Sequence, residues 1–137
     1  MRAQAVQTYG DSMRLAALFL GLTLVLSPVP ASAHHEAYYG DSAKSVAKHI
    51  GCKNFRGQEQ GAIYLYTGVC WLGGKRVNVI TFKGPGQQAE WNRLARYGFG
   101  KHFFWANGTG AVVVAKNGNR PAARVGARRL PGVVRHG

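Results

Sequence analysis

Two carboxylates and two imidazoles in the chain could together provide general acid–base chemistry. Glu59 or Glu90 supplies a candidate base, and His49 or His102 supplies a candidate acid. A small secreted ribonuclease needs such a pair within reach of one phosphate, with an arginine to bind that phosphate. Glu90, however, stands three residues before Arg93 in a predicted helix, where the two side chains can pair on the exposed side. We therefore assign no catalytic residue and favour a binding protein over an enzyme.

The excess of positive charge is the sequence feature that points most directly to a function. Eighteen Lys and Arg residues face five Asp and Glu residues, a formal net charge of +13. Such a chain is attracted to nucleic acid, teichoic acid and other anionic polymers by electrostatics that do not depend on sequence. Alternatively, the charge serves solubility, or it reflects a GC-rich genome that favours arginine over lysine. The candidate anion-binding residues are Lys44, Lys48, Arg76, Arg120, Arg124, Arg128, Arg129 and Arg135.

The three tryptophans could form an aromatic binding platform. Trp91 has the spacing of a core position in a helix, so we expect it to be buried. Trp71 and Trp105 fit a core position and an exposed platform equally well.

A pair of histidines, His34 and His35, could chelate copper if His34 were the first residue of the processed chain. Proteins with such a site use a β-sandwich to bring a further histidine or carboxylate close, and the sequence gives no indication of that sandwich here. We expect neither a metal site nor a cofactor.

The first 33 residues have the pattern of a secretory signal peptide. Arg14 precedes an apolar run over residues 15–26, and a small-x-small cleavage site ends at Ala33. Twelve helical residues extend only about 18 Å, which is too short for a bilayer core of roughly 30 Å. We therefore predict a secreted, extracellular protein of 104 residues with no transmembrane segment in its processed form. Met13 is an alternative translation start.

Both cysteines, Cys52 and Cys70, remain after this cleavage. An even number of cysteines in an exported protein favours a disulfide, whereas a zinc or redox site would need a CxxC pair or more ligands. On the chain-entropy model, closing this loop is worth roughly 3 kcal/mol.

Residues 42–116 alternate between helical and strand patterns. Apolar residues at helical spacing predict one helix over residues 43–50 and a second that begins near Pro85. A Gly-Gly turn at 73–74 predicts a hairpin in which Cys70 pairs with Val77 and Trp71 with Arg76. An Asn-Gly turn at 107–108 predicts a second hairpin.

The two ends of the processed chain lack such patterns. Residues 34–41 show no periodicity and are expected to form a flexible leader. Residues 117–137 contain five arginines, no acidic residue, and prolines at 121 and 131 that discourage a helix. We therefore predict a disordered, arginine-rich tail.

The pattern resembles small secreted single-domain proteins of actinobacteria whose function is uncharacterised. The resemblance covers residues 42–115 and rests on a helix ending in Ile-Gly-Cys52, a Gly-x-Cys70 hairpin, the VNVITF segment at 77–82 and a helix containing Trp91. Ala111 stands where those proteins have a tryptophan, and the arginine-rich tail also differs. The resemblance implies an exported, disulfide-bonded α+β domain and no particular activity.

The expected fold is a small α+β domain ordered α-β-β-α-β-β, with an antiparallel sheet, its helices on one face and one disulfide. The expected function is that of a non-enzymatic, monomeric binding module for an anionic polymer or surface, such as cell-wall teichoic acid or nucleic acid. A small secreted enzyme such as a ribonuclease is one alternative. A secreted inhibitor or toxin that acts on a protein partner is the other.

Overall fold

Six antiparallel strands form one sheet in the computed structural model, which describes residues 37–137. The strands lie in the order β1-β2-β3-β5-β4-β6, and each neighbouring pair is antiparallel. Their bounds are β1 Lys53–Glu59, β2 Tyr66–Leu72, β3 Lys75–Thr81, β4 Phe104–Asn107, β5 Ala111–Ala115 and β6 Val133–His136. The helices are α1 Ala43–His49, α2 Pro85–Phe99 and α3 Arg120–Arg129. The α+β class and the antiparallel sheet are confirmed.

The predicted elements occur in the predicted order, and three further elements join them. Strand β1 adds an edge to the first hairpin, and α3 and β6 follow the second hairpin. The predicted signal peptide, the alternative start at Met13 and the histidines His34 and His35 lie outside the described residues.

The first hairpin has the register that its turn predicts. Cys70 lies opposite Val77, and Trp71 lies opposite Arg76. Both turn glycines have positive φ, with 55° at Gly73 and 74° at the next residue. Glycine adopts these angles without the steric cost that a side chain would add, and such turns match the twist of the two strands.

The helices cover both faces of the sheet, which corrects the expectation of helices on one face. Helices α1 and α3 pack over the face that carries Val79 and Val113, whereas α2 packs over the face that carries Ile80 and Val112. Strand β5 and the part of β3 around Val79 and Ile80 are apolar on both faces, so this part of the sheet needs a cover on each side to keep it from water.

A disulfide joins Cys52, which follows the end of α1, to Cys70 in β2. The prediction of this bond is confirmed. Because Cys70 lies on the same face as Val77, the bond fixes α1 over that side of the sheet.

The C-terminal segment is folded, so the prediction of a disordered tail is wrong. Asn119 caps α3 by accepting a hydrogen bond from the backbone of Ala122 at 2.8 Å, and Pro121 occupies the first turn, where its missing N–H breaks no helical hydrogen bond. Leu130 is fully buried, and β6 pairs with β4.

The described part of the predicted flexible leader is also packed against the sheet. Tyr38 is 2% exposed, and its N–H donates to the carbonyl of Thr109 at 2.8 Å. The N–H of Gly40 donates to the carbonyl of Phe82 at 2.9 Å. A buried tyrosine and these two backbone bonds hold residues 38–40 in place, so flexibility is the wrong description for them.

Candidate anion-binding surfaces

Positive charge dominates the surface of the described residues. Residues 37–137 contain sixteen Lys and Arg residues and three acidic ones, and all sixteen except the half-buried Arg135 are exposed. Within this range one cation pairs with a carboxylate: Arg93 donates from Nε to Glu90 at 2.8 Å. Of the other Lys and Arg side chains, none pairs with a carboxylate within residues 37–137.

The Glu90–Arg93 pair also changes the acid–base properties of a candidate base. The hydrogen bonds from Arg93 hold the pKa of Glu90 below its ordinary value, and Glu90 raises the pKa of Arg93. A lower pKa makes this carboxylate a weaker proton acceptor. Glu90 therefore has a structural partner and is a poor candidate for a general base.

Three arginines form a row on the exposed side of α3, which we name the arginine ridge: Arg120, Arg124 and Arg128. They recur every four residues, so successive positions lie about 6 Å apart along the helix axis. The guanidinium of Arg120 lies over the ring of Phe104, 5.6 Å from its centroid. No residue of α3 is acidic, so nothing within the helix neutralises the ridge.

Other predicted residues lie on the same side of the sheet as the ridge. Lys44 and Lys48 are exposed on α1, again four residues apart, and Arg129 is exposed in the last turn of α3. Cations in a last helical turn interact favourably with the carbonyl end of the helix dipole. Helices α1 and α3 thus hold six of the eight predicted anion-binding residues.

The remaining two predicted residues face the other side of the sheet. Arg76 in β3 lies opposite Trp71, and Arg135 in β6 lies opposite Trp105. The structure therefore divides the predicted set between two surfaces.

The α2 side of the sheet is only partly covered. Helix α2 packs on Ile80 and Trp105, and the half of this face formed by β1, β2 and the adjoining part of β3 stays open. We name this region the open sheet face. Its residues are Lys53, Arg56, Val69, Trp71, Arg76 and Asn78.

The tryptophans differ in burial. Trp105 and Trp91 belong to the core beneath α2, as the helical spacing predicts for Trp91. Trp71 is 48% exposed at the centre of the open sheet face, which settles the alternative left by the sequence. Sequence reasoning did not identify Lys53 or Arg56 as site residues, because β1 was not recognised as a strand.

Two shallow grooves meet at Arg76 on this face. One, of about 460 Å³, runs beside Arg56 and Trp71, and the other, of about 470 Å³, runs past Asn78 to Phe99. The ring of Phe99 is 41% exposed at the end of the second groove.

A larger groove of about 610 Å³ lies beside α2 and rests on a buried amide network. The Gln88 side chain accepts hydrogen bonds from the Tyr39 hydroxyl and the Gly110 backbone, both at 2.9 Å, and it donates to the carbonyl of Gly108 at 2.6 Å. Asn92 accepts a hydrogen bond from the indole of Trp105 at 3.0 Å. These bonds satisfy buried polar groups and fix α2 against the loop after β4.

Three arginines, Arg93, Arg96 and Arg135, also border this larger groove. The Nε atom of Arg135 is buried and has no hydrogen-bond partner among residues 37–137. Only Arg135 was predicted from the sequence as a site residue. Arg96 could not be assigned because its position depends on how α2 docks.

Comparisons with models of protein families, with curated proteins and with solved structures find no match.

No helix within residues 37–137 is long and apolar enough to cross a membrane. In the same range, no group of three or more His, Cys, Asp and Glu side chains is arranged to hold a metal ion.

Proposed function

We propose that the protein is a secreted, non-enzymatic binding module for anionic polymers. The observation that carries this proposal is the arginine ridge of Arg120, Arg124 and Arg128, because it presents three exposed guanidinium groups in a row on a helix without acidic residues. Export is proposed from the signal-peptide pattern of the sequence, and the disulfide between Cys52 and Cys70 is compatible with it.

Polymer binding follows from the physics of condensed counterions. A phosphate polymer concentrates cations around itself, and each protein cation that replaces one of them releases it into solution. Arginine donates to two oxygens of one phosphate, so an exposed row of guanidiniums suits a repeated phosphate. The ridge is held by a folded helix, so less conformational freedom is lost on binding than a disordered tail would lose.

The proposal is tested by the salt dependence of binding. The dissociation constant of the protein for a twelve-nucleotide oligothymidylate and for purified teichoic acid is measured across a salt series. The same series is run on a ridge variant, R120Q/R124Q/R128Q, and on a control variant, K75Q/K83Q/K101Q. The control removes the same number of charges at exposed positions that belong neither to the arginine ridge nor to the open sheet face.

We expect affinity to fall steeply with salt for the unmodified protein. The ridge variant should reduce the slope of log K against log salt for the single strand by about 2, since each lost phosphate contact contributes about 0.7. The control variant should change the slope by less than half of that. If the two variants change the slope equally, the proposed role of the ridge is wrong. If the affinity of the unmodified protein does not change with salt, the proposed function is wrong.

The alternative of a small secreted ribonuclease has weaker support. Its candidate base Glu90 is bound by Arg93, which lowers the pKa of the carboxyl. Turnover of an oligoribonucleotide that survives the ridge substitutions would favour this alternative.

A further inference from the structure

We infer that the open sheet face binds single-stranded nucleic acid, with a base stacked on Trp71 and neighbouring phosphates bound by the cations around it. This inference rests on the proposed function, because it names the class of polymer and the contact that distinguishes it. The stacking contact lies on the opposite side of the sheet from the arginine ridge, so the ridge and the open sheet face bind different segments of the same strand.

The first argument is the position of Trp71. This residue is 48% exposed in the middle of three paired strands, while Trp91 and Trp105 are buried. The cation–π contact within residues 37–137 is the one between Arg120 and Phe104, so no cation of this range occupies the face of the Trp71 ring. The ring therefore has an apolar face that a planar ligand can cover.

The second argument is the charge around that ring. Lys53 in β1 and Arg76 in β3 lie directly opposite Trp71 on its two sides, where paired side chains start about 5 Å apart. Arg56 lies one step further along the same face, opposite Val69. Three exposed cations thus surround one exposed indole.

One acidic residue lies beyond the Arg56 end of this cluster on the same face, about 7 Å from Arg56 along the strands. The acid on the same face, Glu59, lies opposite Thr67, four residues from Trp71 along β2 and therefore about 13 Å away. The local charge is complementary to phosphate.

The third argument is the continuity of the surface. The two grooves that share Arg76 extend the face from Trp71 towards Phe99, a second exposed aromatic ring. Phe99 stacks on Phe103 with ring centroids 4.3 Å apart, which fixes its orientation. The face therefore offers two aromatic rings with cations between them, the arrangement by which proteins bind single strands.

A single-stranded nucleic acid fits these features better than teichoic acid does. A polymer of phosphate and polyol satisfies the cations, but it has no planar group to stack on Trp71. In a duplex each base already stacks on its neighbours, so the exposed bases of a single strand are needed.

Intrinsic fluorescence provides a selective test, since Trp71 is the one exposed tryptophan of the three in the chain. The purified protein is titrated with a twelve-nucleotide oligothymidylate, with inorganic polyphosphate and with purified teichoic acid. We expect the oligonucleotide to quench the exposed tryptophan and polyphosphate to bind without comparable quenching.

Substitution separates stacking from charge. Trp71→Ala should weaken oligothymidylate binding by about 5- to 150-fold and leave polyphosphate binding unchanged, because stacking one base has that effect on affinity. Trp71→Phe should recover most of the loss. Tyr97→Ala, which removes an 82% exposed ring on α2, is the matched control and should change neither affinity. Thermal denaturation checks that each variant is folded.

The outcomes distinguish this inference from the proposed function. If Trp71→Ala weakens oligothymidylate and polyphosphate binding equally or not at all, the inference is wrong and the proposed function stands. If teichoic acid quenches Trp71 and the oligonucleotide does not, the inference is also wrong. If none of the three polymers binds in a salt-dependent way, the proposed function fails.

Discussion

Replacing Leu130 with alanine tests whether the arginine ridge belongs to the folded domain. Leu130 follows α3, is 0% exposed and belongs to the core shared by α1, α3 and the sheet. Its N–H donates to the carbonyl of Gly126 at 2.9 Å, which closes the last turn of α3. The side chain therefore joins the C-terminal segment to the rest of the core.

The size of the effect follows from the burial of this side chain. Leucine to alanine removes three carbons, worth about 2.4 kcal/mol at 0.8 kcal/mol each. The cavity left behind brings the expected loss to roughly 3 to 4 kcal/mol. For a domain of this size, 3 kcal/mol lowers Tm by roughly 12 to 24 °C. Val133→Ala is the control, since Val133 is 55% exposed in the same segment and should cost under about 0.5 kcal/mol.

Urea denaturation followed by far-ultraviolet circular dichroism measures both variants. A single cooperative transition that moves to lower urea for Leu130→Ala is the expected result. If the two variants differ by less than about 0.5 kcal/mol, Leu130 does not anchor the segment and the reasoning is refuted. A tail that is disordered in solution would give that result.

Two further predictions concern covalent and ionic links. Replacing both Cys52 and Cys70 with alanine should destabilise the protein by about 3 kcal/mol, because the bond closes a loop with a sequence separation of 18; a loss below about 1 kcal/mol in the same urea assay would contradict this estimate. The second prediction concerns Glu90, whose pKa is lowered in the folded state by the hydrogen bonds from Arg93. Stability from this pair is therefore fully present above the ordinary glutamic acid pKa and is lost as the pH falls through the folded value. The difference in Tm between the unmodified protein and Glu90→Gln should shrink between pH 7 and pH 3, and a difference that grows in acid would show that the pairing is not its cause.

Local signals explain the parts of the fold that sequence reasoning predicts correctly. The glycines at 73–74 fix the register of the first hairpin, which places Cys70 opposite Val77 and Trp71 opposite Arg76. Each of these features depends on residues close together in the chain. The disulfide follows from having two cysteines in a chain whose first 33 residues are predicted to be a signal peptide.

The C-terminal helix was missed because its buried side is made of small residues. Alanines and Gly126 face the sheet, and they give a weak hydrophobic signal beside the four arginines of the helix. A Cβ on Gly126 would lie 2.8 Å from the Cβ of Ala106, so the helix packs unusually close to the sheet. Close packing of this kind depends on the tertiary partner and leaves little trace in local hydrophobicity.

The candidate site was only partly predictable for a related reason. The cations were identified by type, but their division between two surfaces depends on strand pairing. Strand β1 is polar and irregular, with φ of 55° at Asn54 and 68° at Gly57, so it lacks a strand signal. Only its pairing with β2 brings Lys53 beside Trp71.

The folded C-terminal segment also affects how long the protein can survive among proteases. Endopeptidases that cut after arginine bind their substrates as extended segments, and a helix cannot enter such a site without opening locally. Arg120, Arg124, Arg128 and Arg129 lie in α3, and Arg135 lies in a paired strand. The rate of cleavage at these positions is therefore set by how often the segment opens, which the burial of Leu130 makes rare. A chain this rich in cleavable arginines can keep its charge because those arginines are part of the fold.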